Sequence, residues 1–239
     1  MNKIYCVGVG PGDPELLTLK AHKLIRNASQ IAYFRKRNTP GRARTTIEKT
    51  LQKKNVYEYP MEYPLTTEVD FQTDEYKKTL DDFYIKCCAE IKFLLEKDDL
   101  IIISEGDPLF YGSFVHLYEK LKKDTPVIFV PGITAMSGSW TNAKIPIAMG
   151  DASISIIMGI QDEKDIIKSL KSSQTAVIMK IGTHLKKVES ALKKTNNFNR
   201  AIIVEKATMI DEKIIPLKNY NEKRAPYFSI ILIPYETQK

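Results

Sequence analysis

The sequence predicts an α/β fold, because short apolar runs alternate with amphipathic stretches along most of the chain. Three of the apolar runs end in loops rich in glycine or proline, at residues 8–13, 104–108 and 131–135. Such alternation is typical of a parallel sheet that helices cover on both faces. Ligands of open α/β sheets bind beyond the carboxyl ends of the strands, so we expect these loops to form a binding edge.

The first half of the chain contains the regular alternation. Residues 4–9 form a β-branched apolar run that ends in glycine, which predicts a buried strand. Asp13 is a favourable N-cap and Pro14 suits a first helical turn, so a helix is expected over residues 14–27. The same criteria predict strands at 31–34, 56–59, 100–103 and 127–130, and helices at 42–53, 71–97 and 110–122.

The second half predicts a mixed sheet, because its last two strands leave no room for a helix between them. The expected strands are 153–158, 176–179, 201–204, 213–216 and 227–233, and the expected helices are 134–142, 163–170 and 185–194. We therefore predict two α/β domains, residues 1–130 with a mostly parallel sheet and residues 131–239 with a mixed one.

Composition restricts the class of protein. With 239 residues, 43% hydrophobic and 27% charged, the chain has the composition of a globular protein. Apolar runs are too short for a membrane span, and the N-terminus reaches glycine and proline too early for a secretory signal. Cys6, Cys87 and Cys88 suggest no disulfide framework, so we expect a reducing cytoplasm. The net charge of +7 favours anionic partners, either nucleic acid or a polycarboxylate, although many basic proteins bind neither.

The first glycine loop raises the alternative of a dinucleotide site. Its glycines are spaced G-x-G-x-G instead of G-x-G-x-x-G, Pro11 has no N–H to donate, and Asp13 would repel a phosphate. The second strand ends in Phe34 and Arg35 instead of an acid, which disfavours NAD and leaves an NADP oxidoreductase open. Asp13 and Asp107 suit a ligand with cationic groups and ribose hydroxyls, such as S-adenosylmethionine, or serve only a helix cap and a turn.

Taken together, the loops resemble the signatures of the tetrapyrrole methylase family. GVGPGDPELLTLKA at residues 8–21, SEGDPLFYGSF at 104–114 and VPGITA at 130–135 match in order, and the resemblance covers nearly the whole chain. Within the family, residues 105–114, 177–182, 204–209 and 226–229 are most similar to the branch that methylates carbon 20 of precorrin-2 or its cobalt-bearing counterpart. The uroporphyrinogen branch usually has glycine in place of Glu105, and the diphthamide branch is a more distant match.

The resemblance implies two α/β domains with S-adenosylmethionine in the cleft between them, a tetrapyrrole substrate and a homodimer. Carried over position by position, it places nine residues at the cofactor: Pro11, Glu105, Gly106, Asp107, Phe110, Thr134, Ala135, Lys180 and Ala207. Lys180 departs from the apolar residue of many relatives, which leaves its backbone as the expected contact.

Methyl transfer to an electron-rich ring carbon requires alignment first and proton removal second. We predict Asp107 as the functional carboxylate, with a purely turn-forming role as the alternative. We predict that Arg35, Arg42 and Arg44, in a basic segment after the second strand, hold substrate carboxylates, unless that segment is only a solvated loop. The three histidines lie far apart without metal-ligand spacing, and no RNA-binding motif accompanies the basic charge, so we expect neither a metal nor a nucleic-acid partner.

Overall fold

The computed structural model describes residues 2–51, 55–64 and 73–235. Contacts between Cα atoms divide the chain into two compact units, Met1–Thr134 and Ala135–Lys239. Domain boundaries at 130 and 131 remain a prediction. In the part of the chain that the structure describes, no helix has both the length and the apolar character needed to cross a membrane.

The N-terminal unit contains a parallel sheet, as the sequence predicted. Within the described residues its order is β3-β2-β4-β1-β5, and each neighbouring pair is parallel. Parallel pairing brings the carboxyl ends of β4, β1 and β5 to one edge. The strands are β1 Ile4–Gly8, β2 Gln30–Lys36, β3 Tyr57–Tyr63, β4 Leu100–Ser104 and β5 Val127–Val130.

Helices cover both faces of this sheet. Leu100 and Ile102 of β4 join a buried cluster with residues of α3 and α4, whereas Ile101 and Ile103 join another cluster with residues of α1 and α2. Alternate side chains of a strand point to opposite faces, so a strand apolar throughout is buried on both. The helices are α1 Leu19–Asn27, α2 Arg42–Thr46, α3 Asp74–Leu95 and α4 Phe114–Leu121.

The C-terminal unit contains the predicted mixed sheet. Its order within the described residues is β6-β7-β10-β8-β9, in which β6 and β7 are parallel and β10 runs antiparallel to both β7 and β8. Consequently β6, β7 and β8 all end at the same edge. The strands are β6 Ile154–Met158, β7 Thr175–Met179, β8 Ile202–Glu205, β9 Lys213–Pro216 and β10 Ser229–Ile233, and the helices are α5 Ala135–Asn142, α6 Glu163–Lys171 and α7 Leu185–Lys194.

The predicted helix over residues 14–27 is wrong in its first turns. Asp13 caps only a 3-10 turn, Pro14–Leu16, where its Oδ1 accepts the Glu15 amide at 2.8 Å. The chain then extends, and α1 begins after Thr18, whose hydroxyl accepts the Ala21 amide at 3.1 Å. A threonine side chain is itself a good N-cap, and here it starts the helix anew.

Other helix boundaries also differ from the predicted ones. The helix predicted over 42–53 ends at Thr46, and the next four residues form turns; residues 52 and 53 lie outside the described residues. The helix predicted from 110 begins at Phe114, because Tyr111 has a φ of +57° that an α-helix does not allow. In α3, Thr73 provides the N-cap before Asp74, while positions 71 and 72 of the predicted helix are not described.

The strand predicted over 56–59 continues to Tyr63, although Pro60 lies in its middle. In the described sheet β3 is an edge strand whose Pro60 is opposite Tyr33 of β2. A proline without an amide hydrogen is tolerated on an edge strand, because its outer side need not pair. The extension adds Glu62 to Glu58 among the β3 residues that lie beside β2.

Backbone contacts between three glycines join the carboxyl ends of β1, β4 and β5. A Cβ added to Gly132 would lie 2.0 Å from the Gly106 carbonyl oxygen and 2.9 Å from the Gly8 Cα. A Cβ on Gly8 would lie 2.5 Å from the same oxygen. These distances leave no room for any side chain, so the loops approach this closely only because both positions are glycine.

We expect Gly132→Ala to destabilise the N-terminal unit by about 3 kcal/mol, toward the upper end for overpacking, because rigid backbone surrounds the new methyl group. Urea unfolding measures the loss. Gly182→Ala is the matched control, since in the described part of the chain no heavy atom outside its own stretch of backbone lies within 4 Å of its added Cβ. Equal stability of both variants would contradict the glycine contact.

Candidate functional site

The first and second glycine loops are hydrogen-bonded to each other. The Gly106 amide donates to the Gly10 carbonyl at 2.8 Å, and the Gly10 amide donates to the Gly106 carbonyl at 3.3 Å. Both residues have positive φ, +78° for Gly10 and +63° for Gly106, which glycine adopts at low cost. The predicted cofactor residues Pro11 and Gly106 therefore lie in a defined pair of loops, where Pro11 is buried.

Asp107 connects the second loop to the third. Its Oδ1 accepts the Leu109 amide at 2.9 Å, which closes an Asx turn, and its Oδ2 accepts the Gly132 amide at 3.1 Å. Both carboxylate oxygens are thus engaged by backbone amides. The turn is present, and the side chain in addition fixes the loop that leads to Thr134.

The segment after Asp107 contains a strained backbone. Tyr111 has a φ of +57°, which is costly for an aromatic residue, and Gly112 follows it. A Cβ on Gly112 would lie 2.4 Å from the Pro108 carbonyl oxygen, so this turn excludes a larger residue. The predicted cofactor residue Phe110 is half-buried, and its ring lies 4.9 Å from that of Tyr111, edge to face. Strain of this kind concentrates at functional sites, which supports the expectation that this loop contacts the cofactor.

Glu105 faces α2 from the end of β4. Desolvation is the largest effect on its carboxyl group and raises the pKa, while a hydrogen bond from the Ala43 amide and the charge of Arg42 lower it. The residue still has exposed surface, so the desolvation comes from protein around the carboxylate and not from complete enclosure. Its position beside Arg42 was not expected from the sequence.

Of the three arginines predicted for substrate, two are engaged in ion pairs with β3. Arg44 makes a bidentate contact with Glu58, with both N–O distances at 2.8 Å, and Arg35 lies 2.6 Å from Glu62. The hydrogen bond from Arg44 lowers the pKa of Glu58, against the opposing effect of desolvation. Arg42, at the start of α2, is exposed.

In the C-terminal unit, the predicted residues lie at the start of α5 and beyond strands of the sheet. Ala135 is the first residue of α5, Lys180 follows β7 with a φ of +52°, and Ala207 follows β8 with only 7% of its surface exposed. Because β7 and β8 run in the same direction, Lys180 and Ala207 lie at the same edge of this sheet, beyond the carboxyl ends of the strands. The Lys180 side chain is exposed.

Two residues near Ala207 were missed by sequence reasoning. Glu212 accepts hydrogen bonds at Oε2 from the Thr208 amide at 2.5 Å and from the Asn142 side-chain amide at 2.9 Å. No local sequence pattern predicts the contact between Asn142 and Glu212, because the two residues are 70 positions apart in the chain.

The geometry of the first loop argues against a dinucleotide. A phosphate would need backbone amides at the start of the following helix. The Glu15 amide is bound by Asp13, the Gly10 amide by Gly106, and the Ala21 amide at the start of α1 by Thr18. Ligands without phosphate suit this loop better.

Comparison with known proteins identifies the family. The family described as Tetrapyrrole (Corrin/Porphyrin) Methylases matches residues 3–220. The chain is 40% identical over 235 residues to a precorrin-2 C(20)-methyltransferase from Sinorhizobium sp., which covers 98% of this chain and 96% of that relative. Two proteins that share only a fold need not have this much sequence identity over nearly their full length.

Solved structures share the fold. The methyltransferase CobJ matches with a TM-score of 0.72 at 15% identity, covering 98% of this chain and 95% of that one. The uroporphyrin-III C-methyl transferase from Thermus thermophilus, solved with S-adenyl homocysteine, matches with a TM-score of 0.68 at 18% identity, covering 98% and 92%. With its parallel and mixed sheets and its three glycine loops in order, this chain belongs to the tetrapyrrole methylases.

Proposed function

We propose that this protein transfers the methyl group of S-adenosylmethionine to carbon 20 of precorrin-2 or of cobalt-factor II in cobalamin biosynthesis. The observation that carries the proposal is the 40% identity to a precorrin-2 C(20)-methyltransferase over nearly the full length of both chains. The alternatives within the family are uroporphyrinogen methylation and diphthine synthesis, whereas an NADP oxidoreductase is disfavoured by the first loop.

We propose that the cofactor contacts nine residues: Pro11, Glu105, Gly106, Asp107, Phe110, Thr134, Ala135, Lys180 and Ala207. S-Adenosylmethionine carries a sulfonium, an ammonium and ribose hydroxyls but no phosphate. That chemistry suits loops whose acids are exposed or half-buried and whose helix-start amides are already bound. The uroporphyrin methylase solved with S-adenyl homocysteine supports S-adenosylmethionine as the methyl donor.

In the proposed reaction, the ring carbon attacks the methyl carbon in line with the carbon–sulfur bond. The new carbon–carbon bond forms as the bond to sulfur breaks, its electron pair stays on the sulfur, and the ring carbon then releases its proton. Alignment of the two reactants contributes about 7–11 kcal/mol in favourable cases. The protein's main task is therefore to hold the loops rigidly, and the contacts of Gly8, Gly106 and Gly132 supply that rigidity.

For the substrate, we propose that Arg42 contacts ring carboxylates, because its side chain is exposed at the start of α2. Arg35 and Arg44 form ion pairs with Glu62 and Glu58, and these pairs hold the basic segment in place. An unchanged Michaelis constant for the tetrapyrrole in Arg42→Ala would exclude this contact.

We also propose a homodimer in the cytoplasm, without a nucleic-acid partner. Ile154 and Ile156 of the edge strand β6 are 41% and 43% exposed, and Ile160 just beyond it is 40% exposed. An exposed apolar edge strand favours a partner. All three cysteines are free and buried, which suits a reducing compartment. Light scattering that gives a monomer mass would exclude the dimer.

The function is tested by anaerobic incubation with S-adenosylmethionine and either precorrin-2 or cobalt-factor II, followed by mass spectrometry. We expect one added methyl group on one of the two substrates, together with S-adenosylhomocysteine. If neither is methylated while the protein binds S-adenosylmethionine, the C(20) assignment is wrong, and uroporphyrinogen and then diphthamide become the substrates to test.

Asp107 provides a residue-level prediction. We expect Asp107→Ala to lose most turnover while remaining folded, because the Leu109 and Gly132 amides lose their acceptors and the loops lose their alignment. Asp107→Asn keeps one acceptor oxygen and is expected to retain part of the activity. Glu15→Ala, at an exposed position of the 3-10 turn, is the control. Near-normal turnover in Asp107→Ala would contradict any role for this carboxylate.

A further inference from the structure

The connection between β8 and β9 has an unusual backbone. Lys206 and Thr208 have φ values of +50° and +66°, so Ala207 lies between two residues in the left-handed region. A β-branched residue such as threonine is especially disfavoured there, and such conformations persist only where surrounding contacts enforce them. The contacts around this loop therefore determine where the Ala207 backbone lies.

One carboxylate oxygen supplies two of these contacts. Glu212 Oε2 accepts the Thr208 amide at 2.5 Å and the Asn142 side-chain amide at 2.9 Å. The first bond closes the loop onto its own far end, and the second attaches it to the last residue of α5. The Glu212 amide in turn donates to the Met209 carbonyl at 3.1 Å.

The other end of the loop is held by the sheet. The Lys206 amide donates to the Phe228 carbonyl at 2.6 Å, which extends the pairing of β8 with β10 by one residue. The Lys206 ammonium also pairs with Asp211. Between these two attachments, Ala207 is buried, with 7% of its surface exposed. Glu212 thus holds the backbone of the part of the loop that does not pair with the sheet.

We infer that Glu212 is a positioning residue for the cofactor, acting through the Thr208 amide and Asn142 to hold Ala207 and α5 in one arrangement. The inference rests on the proposed function, in which Ala207 and Ala135 at the start of α5 contact S-adenosylmethionine. Glu212 itself need not touch the ligand. Its hydrogen bonds lie entirely within the C-terminal unit.

The acceptor oxygen, and not the charge, is the feature that the loop requires. A glutamine carbonyl has two lone pairs and is able to accept from both Thr208 and Asn142. Leucine has a similar size but accepts neither bond. Comparison of Glu212→Gln with Glu212→Leu therefore separates hydrogen bonding from charge and from volume. Glu222→Leu is the matched control, because Glu222 is an exposed acid of the same unit.

The test is isothermal titration of each purified full-length variant with S-adenosylhomocysteine, with thermal unfolding measured alongside. We expect Glu212→Leu to bind about tenfold more weakly, which corresponds to about 1.4 kcal/mol. Glu212→Gln and Glu222→Leu are expected to bind within about twofold of the wild type. In turnover assays of Glu212→Leu, the Michaelis constant for S-adenosylmethionine should rise with little change in kcat.

The inference is overturned if folded Glu212→Leu binds as tightly as the wild type, or if Glu212→Gln is as weak as the leucine variant. Should Glu212→Leu fail to fold, Asn142→Ala decides, since it removes only one bond at an exposed helix end. We expect a loss of about threefold from Asn142→Ala, and unchanged binding would reject the role. Failure of the wild type to bind S-adenosylhomocysteine would instead reject the proposed function.

Discussion

The close approach of three backbone segments is the constraint on which the N-terminal unit depends. Gly8, Gly106 and Gly132 follow or end adjacent parallel strands, and their backbones pack where a single methyl group would overlap a carbonyl oxygen. This contact turns three separate strand ends into one continuous surface. The Gly10–Gly106 bridge and the two hydrogen bonds of Asp107 then fix the orientation of the loops on that surface.

Much of this arrangement follows from the sequence. The apolar run of β4 predicted a strand buried on both faces, and the glycine loops predicted the edge at which a ligand binds. Helix boundaries follow less directly where two local signals for a helix start compete. Asp13 and Pro14 predict a strong helix start, yet Thr18 caps the actual helix five residues after Asp13. Tyr111 carries no signal of its left-handed conformation, because the turn that imposes it depends on Pro108 and Gly112.

The contacts that the sequence could not predict are those set by strand register and by tertiary packing. Arg35 meets Glu62 because β2 and β3 pair in parallel with these residues opposite each other. That pairing requires β3 to continue through Pro60, which a local criterion treats as a strand end. Glu212 likewise gains its role only when the loop after β8 folds back beside α5. Each case joins residues whose separation in the chain hides their contact.

The two units share one design principle, in which loops at the ends of buried strands are held by backbone geometry that few residues tolerate. In the N-terminal unit, glycines provide it. In the C-terminal unit, Lys206 and Thr208 adopt strained conformations that hydrogen bonds to Phe228 and Glu212 enforce. A methyl transfer that relies on alignment benefits from such rigidity, since alignment supplies much of the barrier reduction.

We propose that these loops contact the methyl donor. Hydrogen–deuterium exchange with and without S-adenosylhomocysteine tests it most directly, because it reports on each loop separately. We expect slower exchange in peptides that contain residues 8–13, 104–112, 131–135 and 206–209, with little change in α6 and α7. Saturated binding that leaves exchange in these loops unchanged, or that protects only other segments, would contradict it.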